Sequence, residues 1–189
     1  MSRFPNGLRA GACWCALILS FSLVLWLPGL VSAQTPCPIV EACFSPKGNC
    51  AAVVIREIDA AKKEILMQAY SLTLNSISKG LFGAKGRGVD VRVIVDKKVS
   101  VDVEKELKFL DHAGVSVRID RAHTSAHNKV FVFDGGCVIT GTNNFAKKGD
   151  QKNAENIVVI VDKKTAIRYS ENFNLHWAHS KDYSSKVSP

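Results

Sequence analysis

Residues 121–155 read RAHTSAHNKVFVFDGGCVITGTNNFAKKGDQKNAE, and within them stands the pattern His127-x-Lys129-x4-Asp134-x6-Gly141-Thr142-x-Asn144. An imidazole with a pKa of about 6.5 can attack phosphorus or pass a proton near neutral pH. A lysine beside it is a fixed cation, and threonine and asparagine add neutral hydrogen-bond donors. Together they suit a phosphodiester, whose non-bridging oxygens gain negative charge as phosphorus becomes five-coordinate. On a strand, residues two apart share a face, so His127 and Lys129 can meet one anion. A hairpin would then return Thr142 and Asn144 beside His127. Six specified positions at about 5% each multiply to roughly 10⁻⁸ per window, which makes coincidence a poor account.

Plainer readings compete at several positions. Asp134 is a catalytic candidate, but it precedes Gly135-Gly136, where an aspartate also serves a turn. Asn144 could cap a helix starting near Phe145 and still bind phosphate. Thr142, His123, Lys147 and Lys148 are candidate substrate contacts. His123 stands four residues before His127 and can line the cleft, while the two lysines, with Lys152 behind them, offer cations to a phosphate backbone. His112, His176 and His179 have no partner visible in the sequence.

A double displacement needs a nucleophile and a separate acid for the departing oxygen. One imidazole cannot easily be both. His179-Ser180-Lys181 repeats the first half of the pattern, but Lys186 stands where the aspartate belongs. With one motif per chain, a two-fold homodimer that apposes two copies of His127, Lys129 and Asn144 is the economical solution.

The elements that position these residues are legible as alternating strand-length apolar runs and helical periods. Strands are expected at 39–44, 65–70, 89–95, 115–119, 129–133, 137–140 and 157–161. Val54, Ile58, Ala61 and Ile65 share one helical face, as do Val103, Leu107 and Leu110. Ile77 and Leu81 mark a third helix, ended by a glycine-rich stretch from Gly83 to Gly88, and Ala166, Tyr169, Phe173 and Trp177 a fourth. Asp134-Gly135-Gly136 reads as a β-hairpin turn. The order predicts an α/β domain with a mixed β-sheet flanked by helices on both faces.

The chain has 189 residues, 47% of them apolar and 22% charged, which excludes disordered, collagenous and coiled-coil classes for the whole and leaves room for one domain with a real core. The formal charge of +8 favours polyanionic partners, nucleic acid or anionic lipid headgroups. Arg3 and Arg9 precede an apolar run over residues 12–30, broken by Pro28-Gly29 and followed by Val31-Ser32-Ala33. Residues 1–33 therefore read as a secretory signal peptide, with an uncleaved membrane anchor as the alternative, and residues 34–189 as a single domain. A periplasmic or secreted location follows, or a membrane-anchored one if the segment is retained. Only Arg3 and Arg9 leave with it, so the basic excess belongs to the folded part.

Four cysteines remain, Cys37, Cys43, Cys50 and Cys137, and export favours two disulfides. Cys43 with Cys50 would close a short loop across Pro46 and Gly48, leaving Cys37 with Cys137 by elimination. A zinc site from Cys37, Cys43 and Cys50 is disfavoured, because their gaps lack a close cysteine pair.

The motif is the signature of the phospholipase D superfamily, and the chain most resembles its small single-motif branch, the bacterial periplasmic endonucleases of the Nuc type. The likeness extends to the Cys43-Phe44-Ser45-Pro46 strand, Gln68-Ala69-Tyr70-Ser71, Asn153-Ala154-Glu155-Asn156 and the aromatic closing helix. The resemblance implies an α/β/α sandwich, a homodimer, and metal-independent cleavage through a covalent phosphohistidine. It makes His127 the nucleophile or acid, gives the phosphate to Lys129 and Asn144, and has Glu155 orient the histidine. Thr142 replaces the more usual serine and keeps the hydroxyl. Asn143 stands where that branch commonly has phenylalanine, which puts the packing beside the phosphate pocket in question.

The expected activity is sequence-nonspecific cleavage of DNA, with RNA as a further nucleic acid partner, without a cofactor and without a metal, since no carboxylate cluster suited to Mg²⁺ surrounds the motif. A lipid phosphodiesterase would use the same residues, although no amphipathic stretch for a bilayer is visible. A non-catalytic nucleic-acid-binding protein would need the basic surface but not His127.

Overall fold

The computed structural model describes residues 39–184. In chain order these form β1 (Ile39–Ser45), α1 (Cys50–Ala60), β2 (Glu64–Ala69), α2 (Asn75–Gly86), β3 (Asp90–Asp96), α3 (Val101–His112), β4 (Ser116–Asp120), β5 (Lys129–Phe133), β6 (Cys137–Gly141), α4 (Lys147–Gln151), β7 (Glu155–Val161), α5 (Lys163–His179) and β8 (Lys181–Asp182). The expectations for residues 1–33 and for Cys37 lie outside the described residues.

The strands make one mixed sheet ordered β1-β7-β6-β5-β2-β3-β4-β8. β2, β3 and β4 run parallel, and the remaining pairings are antiparallel. Parallel neighbours need a crossover, and α2 and α3 supply the two required here. Because side chains alternate across a strand, the central strands β2, β3, β5 and β6 feed two cores. Ile65, Met67, Val91, Val93, Phe131 and Phe133 pack with Val54 and Ile58 of α1, Leu81 of α2 and Leu107 of α3. Leu66, Ile94, Val130, Val132 and Val138 point the other way, against Ala166 and Phe173 of α5. The result is the expected helix, sheet, helix sandwich.

Local chemistry sets the ends of the elements. Ser100 and Asp162 cap α3 and α5, accepting from Val103 N at 3.3 Å and Thr165 N at 2.6 Å. Asp134 and Gly135 both take positive φ, 51° and 61°, the pairing of a type I′ turn, so β5 and β6 form the expected tight hairpin. Two boundaries differ from the sequence reading. α1 stops at Ala60 and Ile65 enters β2, because the Asp134 carboxylate accepts the backbone N–H groups of Lys62, Lys63 and Glu64. α2 continues through Gly83 to Gly86, since Ala84 is fully buried in the core and rewards the extra turn.

Cys43 and Cys50 form the expected disulfide, with Cα atoms 5.6 Å apart. It rules out the zinc site built on those thiols. Cys137 has no disulfide partner among the described residues, and burial, with Glu57 nearby, pushes its thiol up to about 11.

Candidate active site

The first residue of β5 is Lys129, and a loop over residues 121–128 delivers His127 to it from β4. The loop is tied down at three points. Ala126 N donates to the buried Asp96 carboxylate at the end of β3, Tyr70 N donates to Asn128 O at 3.0 Å, and Asn128 Nδ2 donates to Gln68 Oε1 at 3.2 Å. His127 thus sits just before the start of the interior strand β5, with its ring 4.5 Å from that of Tyr70 and exposed to solvent.

Lys129 is 7% exposed, and its Nζ lies 2.8 Å from His127 Nδ1 and 3.3 Å from Nε2 while donating to His127 O at 2.8 Å. The ammonium also sits 5.4 Å from the centre of the Tyr70 ring. No carboxylate approaches within ion-pair distance of it among the described residues. Burial lowers its pKa from the ordinary lysine value, and the charge of Glu155 partly offsets the effect. A buried cation of this kind is costly until an anion joins it.

The second arm of the pocket comes from β6. Its register with β5 pairs Val130 with Thr140, and continuing it sets Gly141 opposite Lys129 and carries residues 142–144 alongside the histidine loop. Gly141 pairs with Ile157 of β7 so closely that a Cβ would overlap Asn156 O and lie 2.8 Å from Ile157 Cα, which explains the glycine of the motif. Thr142 is locked to β7, its N donating to Asn156 O at 3.0 Å and its Oγ1 accepting from Asn156 N at 3.0 Å. Glu155, one residue away, accepts from Asn153 Nδ2 at 3.1 Å and acts electrostatically on Lys129. The fold therefore gathers His127, Lys129, Thr142, Asn144 and Glu155 at one end of β5, β6 and β7.

Asn144 does not cap a helix. α4 begins two residues later than expected, with Ala146 as its N-cap, and Asn144 Oδ1 is buried without a hydrogen-bond partner. Oδ1 can only accept, so contact with an anionic oxygen in this pocket would fall to the Asn144 Nδ2 donor. Asn143 answers the question raised by its departure from phenylalanine. It is buried, and its Oδ1 accepts from Phe145 N at 2.8 Å, holding Phe145 at positive φ while Phe145 O accepts from Thr73 N and Leu74 N.

Two sequence candidates are not brought to this pocket. Asp134 stands at the far end of β5, about 16 Å of strand away at 3.3 Å per residue. Burial tends to raise its carboxyl, but the N–H groups of Glu64, Lys62 and Lys63 outweigh it and hold the pKa below the usual value. Its place is structural, so the catalytic reading of Asp134 is corrected. His123 is turned to Asp120, with Nδ1 2.9 Å from Oδ2, rather than to His127. Around the same carboxylate oxygen stand His176 Nδ1 at 3.0 Å and His179 Nε2 at 3.3 Å. These partners were missed in the sequence, although Asp120-x-x-His123 and His176-x-x-His179 each carry a spacing that puts two such groups together. His112 Nδ1 lies 2.6 Å from Lys108 O of its own helix. Lys147, Lys148 and Lys152 are exposed and line a groove with Lys105, Thr73 and Asn75, which Asp102 and Glu106 also border.

A buried lysine against an exposed histidine, with amide and hydroxyl groups on the neighbouring strands, is an arrangement suited to a phosphodiester. The family model described as "Cardiolipin synthase, PLD-like domain" matches residues 54–177. A protein named phospholipase D from Rickettsia conorii is 37% identical over 134 residues, covering 71% of this chain and 67% of that one. The mitochondrial cardiolipin hydrolase of Xenopus tropicalis is 30% identical over 117 residues, covering 62% of this chain and 56% of its own. Among solved structures, the phospholipase D family member Nuc from Salmonella typhimurium superposes with a TM-score of 0.76 at 36% identity, covering 78% of this chain and 99% of that one. The chain belongs to the phospholipase D superfamily and is a phosphodiesterase of that family.

Proposed function

We propose that the chain is a metal-independent endonuclease that cleaves DNA, and RNA by the same chemistry, without reading base sequence, at a site shared by two identical subunits. The observation that carries this reading is Lys129, a buried ammonium against the His127 ring with no counter-ion in contact among the described residues. A phosphodiester supplies the missing negative charge.

In the proposed cycle, one imidazole nitrogen of His127 attacks phosphorus in line, forming a P–N bond as the P–O bond to the departing nucleoside breaks. His127 of the second subunit gives its proton to that oxygen. The same second imidazole then takes a proton from water, whose oxygen attacks phosphorus, and the P–N bond breaks to free the phosphate end. Lys129 and Asn144 hold the non-bridging oxygens, and Glu155 keeps the attacking ring in its working tautomer.

Several observations support two subunits and a nucleic acid. The other described histidines are engaged elsewhere, so the chain offers its own pocket no second imidazole. β1 is an edge strand carrying Val40 and Phe44 at 55% and 67% exposure, and Phe44 lies opposite Asn156, beside Thr142. The groove of Lys105, Lys147, Lys148 and Lys152 gives a phosphate backbone a path. The Cys43–Cys50 disulfide supports the proposal that the protein works outside the cytosol, behind the signal peptide read in residues 1–33.

A lipid phosphodiesterase is the second reading, favoured by relatives named phospholipase D and cardiolipin hydrolase. The purified protein in excess EDTA, given labelled plasmid DNA or vesicles of phosphatidylcholine or cardiolipin, separates the two. The endonuclease reading predicts cut DNA and no headgroup release. Headgroup release with intact DNA would replace it by the second.

A further inference from the structure

Four metal-ligating side chains converge away from the reaction pocket. Asp120 ends β4 with its side chain fully buried, His123 follows on the loop to His127, and His176 and His179 stand one turn apart at the end of α5. One donor atom from each lies within 4.8 Å of every other. Three imidazole nitrogens face a single oxygen, Asp120 Oδ2, at 2.9, 3.0 and 3.3 Å. Donors on a tetrahedral zinc with bonds of 2.0–2.1 Å sit about 3.3 Å apart, so only small side-chain rotations separate this cluster from a closed coordination shell.

Hydrogen bonding alone serves the cluster poorly. Three N–H groups would compete for the two lone pairs of one oxygen. Protonating all three rings would set like charges against each other with ring centres only 4.8 to 5.2 Å apart. A divalent cation removes both problems, since neutral imidazoles then present lone pairs and the carboxylate supplies negative charge. The carboxylate is already aimed for this. Its other oxygen, Oδ1, accepts from Ala122 N at 3.0 Å, the kind of outer bond that orients a metal ligand and leaves Oδ2 free to bind. No lysine or arginine pairs with Asp120 among the described residues.

We propose that Asp120, His123, His176 and His179 bind one zinc ion, which clamps the end of α5 to the loop that carries His127. Four protein ligands close the shell, so the ion is structural and takes no part in phosphoryl transfer. Cleavage in EDTA therefore persists wherever the metal-free chain stays folded.

The test uses the full purified chain, stripped with chelator and reconstituted with zinc or cobalt(II). Wild type and His127→Ala should each retain one equivalent of zinc after gel filtration, show the intense visible bands of tetrahedral cobalt(II), and melt at least about 5 °C higher with zinc than without. His123→Gln and the double variant His176→Gln/His179→Gln should keep the wild-type circular dichroism at low temperature but lose stoichiometric binding and the thermal shift. Wild type that retains no zinc at micromolar free metal, or variants that retain as much as wild type, would overturn the proposal. So would loss of zinc with His127→Ala, which would put the metal in the reaction pocket.

Discussion

Lys129 Nζ lies 2.8 Å from His127 Nδ1 and donates to the backbone carbonyl of that same histidine. The cation is held by the residue it assists, so the pair is preorganised by the first residues of one strand and the loop before it. Preorganised charge in a buried place is worth more in a transition state than the same charge in water, because nothing needs to reorient as the reaction proceeds.

This burial separates function from stability at Lys129. Lys129→Met should lower the cleavage rate by about 10²–10³ or more. It should leave folding stability unchanged or raise it by about 1 kcal/mol, since an uncompensated buried charge is removed. Nuclease assays beside urea denaturation measure both. A variant that loses activity only in step with its folded fraction would contradict this.

Burial, opposed by Glu155, also sets a pH signature. The protonated amine binds the phosphate and its pKa is lowered, so the alkaline limb of kcat/KM should fall at a lower pH than an ordinary lysine, near ~10.4, would set. Glu155→Gln should move that limb lower still. For the free protein the unfolded chain holds this proton more tightly, so this group's contribution to stability rises with pH through the interval below ~10.4.

Asp134 should behave as an anchor. Asp134→Asn removes a carboxylate that accepts three backbone N–H groups at the start of β2, and should cost about 1 kcal/mol, a value reduced by partial solvation. The folded variant should cleave DNA at the wild-type rate. Because the folded pKa is depressed, the wild type holds this stabilisation above about pH 4 and loses it as pH falls through the folded value, whereas the variant lacks that acid slope. Melting curves between pH 2 and 7 decide it.

Gly141→Ala tests the close approach of β6 to β7. The added carbon overlaps Asn156 O, and relieving that overlap must move Thr142, which Asn156 holds. We expect a stability loss of about 1–3 kcal/mol together with a cleavage defect beyond the folded fraction. A variant with full activity would show that Thr142 and Asn144 tolerate displacement.

The sequence carried much of this architecture because its signals were local. The run from Lys129 to Phe133 is bounded by the motif and a Gly-Gly turn, and it is β5. The stripe Ala166, Tyr169, Phe173 and Trp177 is the face α5 turns to the sheet. What escaped depends on partners far apart in the chain. The helical stripe running on to Ile65 is cut short by a carboxylate 70 to 72 residues later, at Asp134. β8 has two residues and exists because β4 accepts it. The Asp120 cluster joins two short, individually readable spacings across 56 residues, and only the packing of α5 on the sheet brings them together.

The central claim is that phosphorus is attacked twice, first by His127 and then by water, and the stereochemistry at phosphorus tests it most directly. A chiral phosphorothioate diester of known configuration, cleaved in oxygen-18 water with EDTA present, should give product with net retention, since two in-line displacements each invert. Net inversion would mean that water attacks directly, and the covalent histidine intermediate would have to be abandoned.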